Sequence, residues 1–296
     1  MTTLRERLDI YERLVRLDKP IGILLLLWPT LWGLWLSSFG SPNSVVVVIF
    51  VLGVVLMRSA GCVVNDIADR NYDPHVERTR DRPLAARTIS VTEAVVLAAV
   101  LAGLAFLLVT QLNRLTIQLS FVALGLAVIY PFLKRFFWLP QAWLGAAFGF
   151  GIPMAFAAHQ NAIPPAAWWF YVAHVFWTIA YDTQYAMVDR DDDKRIGMKT
   201  SAILFGTKDV AWTMACHAIF LGAMALIGYR VNLGIAYFGG VGIAALLAFM
   251  QYFMIRDRTR EGCFKAFLHN NWIGAAIFAG IVLDFWLRIP MPWVRL

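Results

Sequence analysis

About nine segments of this 296-residue chain each approach the roughly 20 consecutive apolar residues that an α-helix needs to cross a bilayer. Lipid offers the backbone no hydrogen-bond partners, so such a chain must satisfy its amides inside helices or a closed barrel. Apolar runs this long select the helix. The segments fall at roughly 21–39, 45–65, 91–110, 115–133, 141–158, 167–187, 209–229, 232–254 and 271–289. Composition agrees: 60% of residues are hydrophobic and 15% charged, against about 45–50% apolar and about 25% charged in soluble domains. The expectation is an all-α, polytopic membrane protein.

The basic residues orient these spans. Of the 26 Lys and Arg, only Arg114, Arg230, Arg288 and Arg295 fall on the side away from the N-terminus, and Arg58 falls within a span. Cytoplasmic loops carry the Lys/Arg excess, so the N-terminus and its side are expected to be cytoplasmic. The net charge of +7 then reflects topology and attraction to anionic lipid or substrate. A nucleic-acid partner is not expected, because such a binder does not spread its basic residues between apolar spans. Residues 1–20 show no short apolar core with a cleavage site; Leu4, Leu8, Tyr11 and Val15 recur at helical spacing among charges, which predicts a helix lying at the membrane surface. No linker divides residues 1–296, so one domain is expected, with residues 66–90 and 188–208 as its longest cytoplasmic loops. Gly145, Gly149, Gly151 and Pro153 predict close helix contact and a kink. Trp28, Trp32, Trp35, Trp168, Trp169 and Trp293 are expected mainly as interfacial anchors. Asp284 and Arg288, four residues apart, predict an ion pair.

Two spans run directly into acidic clusters, Asn65-Asp66-Ile67-Ala68-Asp69-Arg70-Asn71-Tyr72-Asp73 and Asp189-Arg190-Asp191-Asp192-Asp193. Carboxylates are costly near lipid and mark function there. If the first helix continues, Asp66, Asp69 and Asp73 share a face beside Asn65, and Asp189 and Asp193 stand at i, i+4. Like charges so placed repel and call for a positive partner, either basic side chains or cations held through oxygen. Oxygen ligands with water and phosphate favour Mg²⁺, which makes a diphosphate the expected ligand. Lys19, Arg70, Lys134, Arg135 and Lys199 lie on the same side to meet its oxygens. Neither a glycine-rich phosphate loop nor a Walker pattern is present, so a lipid diphosphate with its tail among the helices fits better than a nucleotide.

At these two motifs the chain resembles the UbiA family of intramembrane prenyltransferases. Leu17-Asp18-Lys19-Pro20-Ile21-Gly22, Leu27-Trp28-Pro29-Thr30, Arg82-Pro83-Leu84 and the long segment from Tyr181 to Asp193 extend the resemblance over nearly the whole chain. The resemblance implies nine transmembrane helices around a central cavity with a lateral opening to lipid. It also implies Mg²⁺-dependent transfer of a polyprenyl group from its diphosphate to an aromatic carbon ortho to a phenolic hydroxyl. Asn65, Asp69, Asp73, Asp189 and Asp193 would hold the metal-bound diphosphate, with Asp69, Asp73, Asp189 and Asp193 catalytic. The tyrosine-rich second motif and Lys19-Pro20 resemble the branch whose acceptor is 4-hydroxybenzoate, in ubiquinone biosynthesis. That acceptor needs a cation for its carboxylate. Arg58, about two turns before Asp66, is the first candidate, with Tyr130, Asp182 and Tyr185 shaping the pocket. The chain departs from the family at Ala86-Arg87, where a small residue or glycine is common.

The implied setting is a bacterial inner membrane, with the lipid bilayer as surroundings and no obligate protein partner. Two alternatives remain open at this level. The same fold could use homogentisate, a naphthoate or haem as acceptor. A transporter of divalent cations or anionic metabolites would also place acids among helices, but its site belongs near the midplane, whereas these clusters sit at one edge.

Overall fold

The computed structural model describes residues 4–288; Trp293, Arg295 and the expected end of the last span at 289 lie outside them. The described residues form helices and no strand: α1 (Leu4–Val15), α2 (Ile21–Ser37), α3 (Ser44–Asp69), α4 (Val91–Val109), α5 (Arg114–Leu133), α6 (Pro140–Gly149), α7 (Gly151–Gln160), α8 (Pro165–Ile196), α9 (Ser201–Phe205), α10 (Asp209–Arg230), α11 (Ile235–Ile255) and α12 (Arg260–Leu287). Seven spans are long and apolar enough to cross a membrane: α3, α4, α5, α6 with α7, α9 with α10, α11 and α12. Two of the nine expected spans do not meet that measure. α2 is apolar but has 17 residues, and the 32-residue α8 buries polar groups such as His174, Thr183 and Gln184.

Helix starts follow side-chain chemistry. Asn43 accepts from the amides of Val45 and Val46 at the start of α3, Ser90 from Glu93 at α4, Asn113 from Thr116 at α5, and Thr259 from Gly262 at α12. The expected kink is a break at Phe150, between α6 and α7. The glycines around it permit close approach: a Cβ on Gly149 would lie 2.6 Å from His174 Nδ1, and one on Gly151 2.4 Å from Thr30 Oγ1.

Trp32 departs from its expected interfacial place. It is 1% exposed, donates to the Gly274 carbonyl at 3.2 Å and stacks with Phe220, which stacks in turn on Trp177. Trp177 donates to Asn270, Asn270 to Gln184, and Gln184 to Gln251, so these four side chains form one buried hydrogen-bonded chain. Trp169 is exposed, and Arg288 meets Asp284 at 2.8 Å, the ion pair expected.

α1 packs Leu14 and Val15 against Val63, Leu84, Ile89 and Ala94, while Leu4 and Leu8 are exposed. It is pinned by Arg7 and Tyr11 to Glu93 and by Arg13 to the Asp81 carbonyl. The two expected loops are partly helical. α3 extends through Asp69, and α8 continues through the whole second acidic motif before Gly197 ends it at φ 74. Arg87 takes φ 56, a left-handed conformation that glycine adopts without steric cost.

Candidate active site

A single cavity of about 1740 Å³ runs from the acidic motifs down between α2, α3, α4, α5 and α6–α7. Asn65, Asp69, Asp73, Asp189 and Asp193 all line its polar end, together with Lys19, Arg78, Arg82 and Lys134. The two motifs, far apart in sequence, therefore face one space.

The first motif is not one continuous helical face. α3 stops at Asp69, and a turn carries Asp73 into a short 3₁₀ segment, Asp73–His75. Arg82 bridges this break, donating to both oxygens of Asp73 at 3.0 and 2.9 Å and to Asp66 at 3.2 Å. Asp66 is 1% exposed, takes a second bond of 2.6 Å from Arg16 and does not line the cavity. Burial, opposed by Arg82, raises the Asp73 pKa above the usual carboxylate range.

The second motif sorts by helical period. Asp189 and Asp193 point into the cavity. Arg190 instead meets buried Asp209, which also receives Arg258 Nε at 2.9 Å. Asp192 pairs with Arg260 at 3.3 Å, and Asp191 is exposed. Arg78 holds Asp189 with Nε 3.1 Å from each oxygen and Nη2 2.5 Å from Oδ2, and its guanidinium lies 4.4 Å over the Tyr185 ring. Asp193 lies on the charged end of α8, beyond its apolar segment. Burial and then the neighbouring Asp189 push it up to about 7.

Among the described residues, no three acidic, cysteine or histidine side chains converge closely enough to hold a metal alone. Each acid of the expected cluster except Asp193 meets a basic group instead. That arrangement still suits Mg²⁺, which is held by one or two carboxylates with water and substrate phosphate rather than by an all-protein cage. Two features support the fit. Lys134 Nζ sits 3.2 Å from Asn65 Oδ1 and 3.3 Å from Asp69 Oδ2, a cation between two oxygen donors. Asp69 Oδ1 is buried without a hydrogen-bond partner among the described residues.

Three of the expected diphosphate-binding residues lie off the cavity lining. Arg70 donates to the Ile67 carbonyl and Arg135 to the Ala68 carbonyl, each at 2.7 Å. Both therefore satisfy open carbonyls at the end of α3, which have no partner inside the helix. Lys199 turns to the Phe136 carbonyl at 3.1 Å and the face of Trp138. Arg78 and Arg82, on the loop between the first motif and α4, occupy the place expected for them. Sequence offered one signal for this pair, the Arg82-Pro83-Leu84 segment, and none for Arg78.

The expected acceptor residues come together. Arg58, Tyr130, Asp182 and Tyr185 all line the cavity. The Arg58 guanidinium occupies space that only glycine leaves open: a Cβ on Gly22 would lie 2.3 Å from its Nη2. Arg58 contacts Cys62 Sγ and lies 5.8 Å from the Phe148 ring, while its Nε is buried without a partner among the described residues. Arg58 and Asn65 are two turns apart on α3, about 10 Å along the helix.

A model of the UbiA prenyltransferase family matches residues 26–278. A 4-hydroxybenzoate octaprenyltransferase of Nitrosospira multiformis is 63% identical over 286 residues, covering 97% of this chain and 99% of the relative. Another from Dechloromonas aromatica is 60% identical over 283 residues, covering 95% and 96%. The apo structure of a UbiA homolog from Aeropyrum pernix K1 superposes with a TM-score of 0.78 at 27% identity, over 88% of this chain and 97% of that one. A UbiA homolog from Archaeoglobus fulgidus bound to GPP and Mg²⁺ shares the fold with a TM-score of 0.70 at 19% identity, over 92% and 99%. The helical bundle, its one-ended acidic cavity and these relatives converge: the chain belongs to the UbiA prenyltransferase family.

Proposed function

We propose that this protein transfers a polyprenyl group from polyprenyl diphosphate to the ring carbon ortho to the hydroxyl of 4-hydroxybenzoate, a step of ubiquinone biosynthesis, with Mg²⁺ as cofactor. The observation that carries this reading is the joining of both acidic motifs to the half-buried Arg58 and a long apolar channel in one cavity. The relatives at 63% and 60% identity supply the acceptor. The whole chain acts as one domain in a bacterial inner membrane, with α1 and the acidic motifs on the cytoplasmic side.

In this reading Asn65, Asp69, Asp73, Asp189 and Asp193 hold the metal–diphosphate head. Mg²⁺, when bound there, neutralises the diphosphate and improves it as a leaving group. Lys19, Lys134 and Arg78 face the same space and bind the remaining oxygens. Breaking the allylic C–O bond leaves an electron-poor carbon, which apolar walls such as Met57, Leu144 and Phe148 shield from water. Arg58 holds the benzoate carboxylate, so the ring lies between it and the acids. The carbon ortho to the hydroxyl attacks, forms the new C–C bond and then loses its proton.

Purified protein tested with octaprenyl diphosphate and 4-hydroxybenzoate, homogentisate or a naphthoate separates the acceptors. Transfer to 4-hydroxybenzoate is expected, and transfer only to another acceptor overturns the assignment. Chelation with EDTA is expected to abolish product formation, and added Mg²⁺ to restore it; turnover that persists in EDTA removes the metal from the scheme. Arg58→Ala is expected to raise KM for 4-hydroxybenzoate roughly 10–100-fold, the worth of a charged hydrogen bond. The same substitution leaves KM for a phenol lacking the carboxylate near its wild-type value, and equal losses for both acceptors would deny Arg58 this role.

A further inference from the structure

A separate, smaller recess of about 870 Å³ lies behind the first acidic motif and shares no lining residue with the main cavity. The turn after α3 is the wall between them: Tyr72 and Asp73 line the cavity, whereas Arg70, Pro74 and His75 line the recess. α1 adds Arg7, and the loop before α4 adds Arg87. Basic side chains thus converge from three separate segments. Arg7 is neutralised by Glu93, which it meets at 3.1 Å. Arg70 gives one N–H to the Ile67 carbonyl, and neither Arg70 nor Arg87 has an ion-pair partner among the described residues. The start of α4 adds to their charge. Ser90 accepts from the Glu93 amide, which leaves the first amides of the helix, those of Val91 and Thr92, without a partner inside it. Because α4 is one of the apolar spans, the recess sits at the membrane edge. Val91, which lines it, and Val95, one turn further along α4, are both exposed and share a face.

We propose that this recess binds the phosphate headgroup of an anionic phospholipid, with Arg70 and Arg87 on the phosphate oxygens and an acyl chain along Val91 and Val95. Guanidinium groups match phosphate geometry, and basic pockets at the ends of spans attract lipids of net negative charge. A choline headgroup would bring its own cation against the two uncompensated arginines. A free phosphate would meet the same arginines but leave the valine stripe unused. The site stands apart from prenyl transfer and does not depend on which acceptor the main cavity takes.

The test titrates the purified full chain, in a non-ionic detergent, with dioctanoyl phosphatidylglycerol, dioctanoyl phosphatidylcholine or inorganic phosphate. Wild-type protein is expected to bind phosphatidylglycerol more tightly than either of the others. Arg87→Gly removes the charge and accommodates φ 56, so the loop keeps its shape. It is expected to weaken phosphatidylglycerol binding about fivefold, the worth of one basic residue beside an anionic headgroup, and to leave phosphatidylcholine binding unchanged. Arg87→Lys keeps the charge and most of the affinity. Arg114→Ala removes a charge at the opposite end of the spans, where α5 begins, and leaves the affinity unaltered. Phosphatidylglycerol binding that is unaffected by Arg87→Gly, or weakened equally by Arg114→Ala, overturns the site. Inorganic phosphate bound as tightly as phosphatidylglycerol, and weakened by the same Arg87 variant, overturns the lipid and makes the ligand a soluble anion.

Discussion

Replacing Asp69 or Asp189 by alanine lowers kcat for prenyl transfer by about 10²–10³-fold, the scale of losing one electrostatic element at a transition state. The bundle stays folded. Both residues face the cavity, and neither joins the aromatic core built on Trp32, Trp177 and Phe220. Their partners are on the cavity wall too: Lys134 lies beside Asp69, and Arg78 holds Asp189. Truncation therefore leaves a cation facing the cavity, where water can reach it. In Asp189→Asn the side chain still accepts from Arg78 but carries no charge, so it isolates the electrostatic contribution and is expected to lose most of the same activity. Steady-state kinetics with saturating Mg²⁺, alongside thermal unfolding in detergent, checks both variants. Near-normal kcat in both alanine variants would count against the acids as the diphosphate clamp.

The division between what sequence foretold and what it missed follows the range of each interaction. Apolar length and helical period are local, so the spans were legible. The period also separated Asp189 and Asp193, on one face of α8, from Asp191 on another. Pairing between distant segments left no such trace. Arg70 and Arg135 carry the charge a diphosphate needs, yet both are drawn to the carbonyls that α3 leaves open at its end. Arg78 lies 111 positions from Asp189, and only the folded chain brings them together. Trp32 misled for a related reason. A tryptophan in a span reads as an anchor until a partner such as the Gly274 carbonyl is known to satisfy its N–H. The first motif was read as one helix because i, i+3 and i+4 spacing persists through Asp73, although α3 ends at Asp69.

Asp66→Asn separates architecture from chemistry within that motif. Its side chain is 1% exposed and joins Arg16, beyond the end of α1, to Arg82, which also grips Asp73. Arg16 and Arg82 are themselves 19% and 15% exposed, so neither regains full hydration when the charge is removed. Breaking a buried ion pair from one side costs about 3–5 kcal/mol, because the partner remains buried and uncompensated. Arg82 retains Asp73, whereas Arg16 has Asp66 as its only ion-pair partner among the described residues. The expected result is a lower unfolding temperature in detergent and reduced activity, as the loop carrying Asp73, Arg78 and Arg82 loosens. Saturating Mg²⁺ does not restore that activity, because Asp66 does not line the cavity. Unchanged thermal stability with activity recovered at high Mg²⁺ would instead make Asp66 a metal ligand. The contrast with Asp69→Ala is the useful one: three residues apart on α3, one acid is expected to fail in turnover and the other in stability.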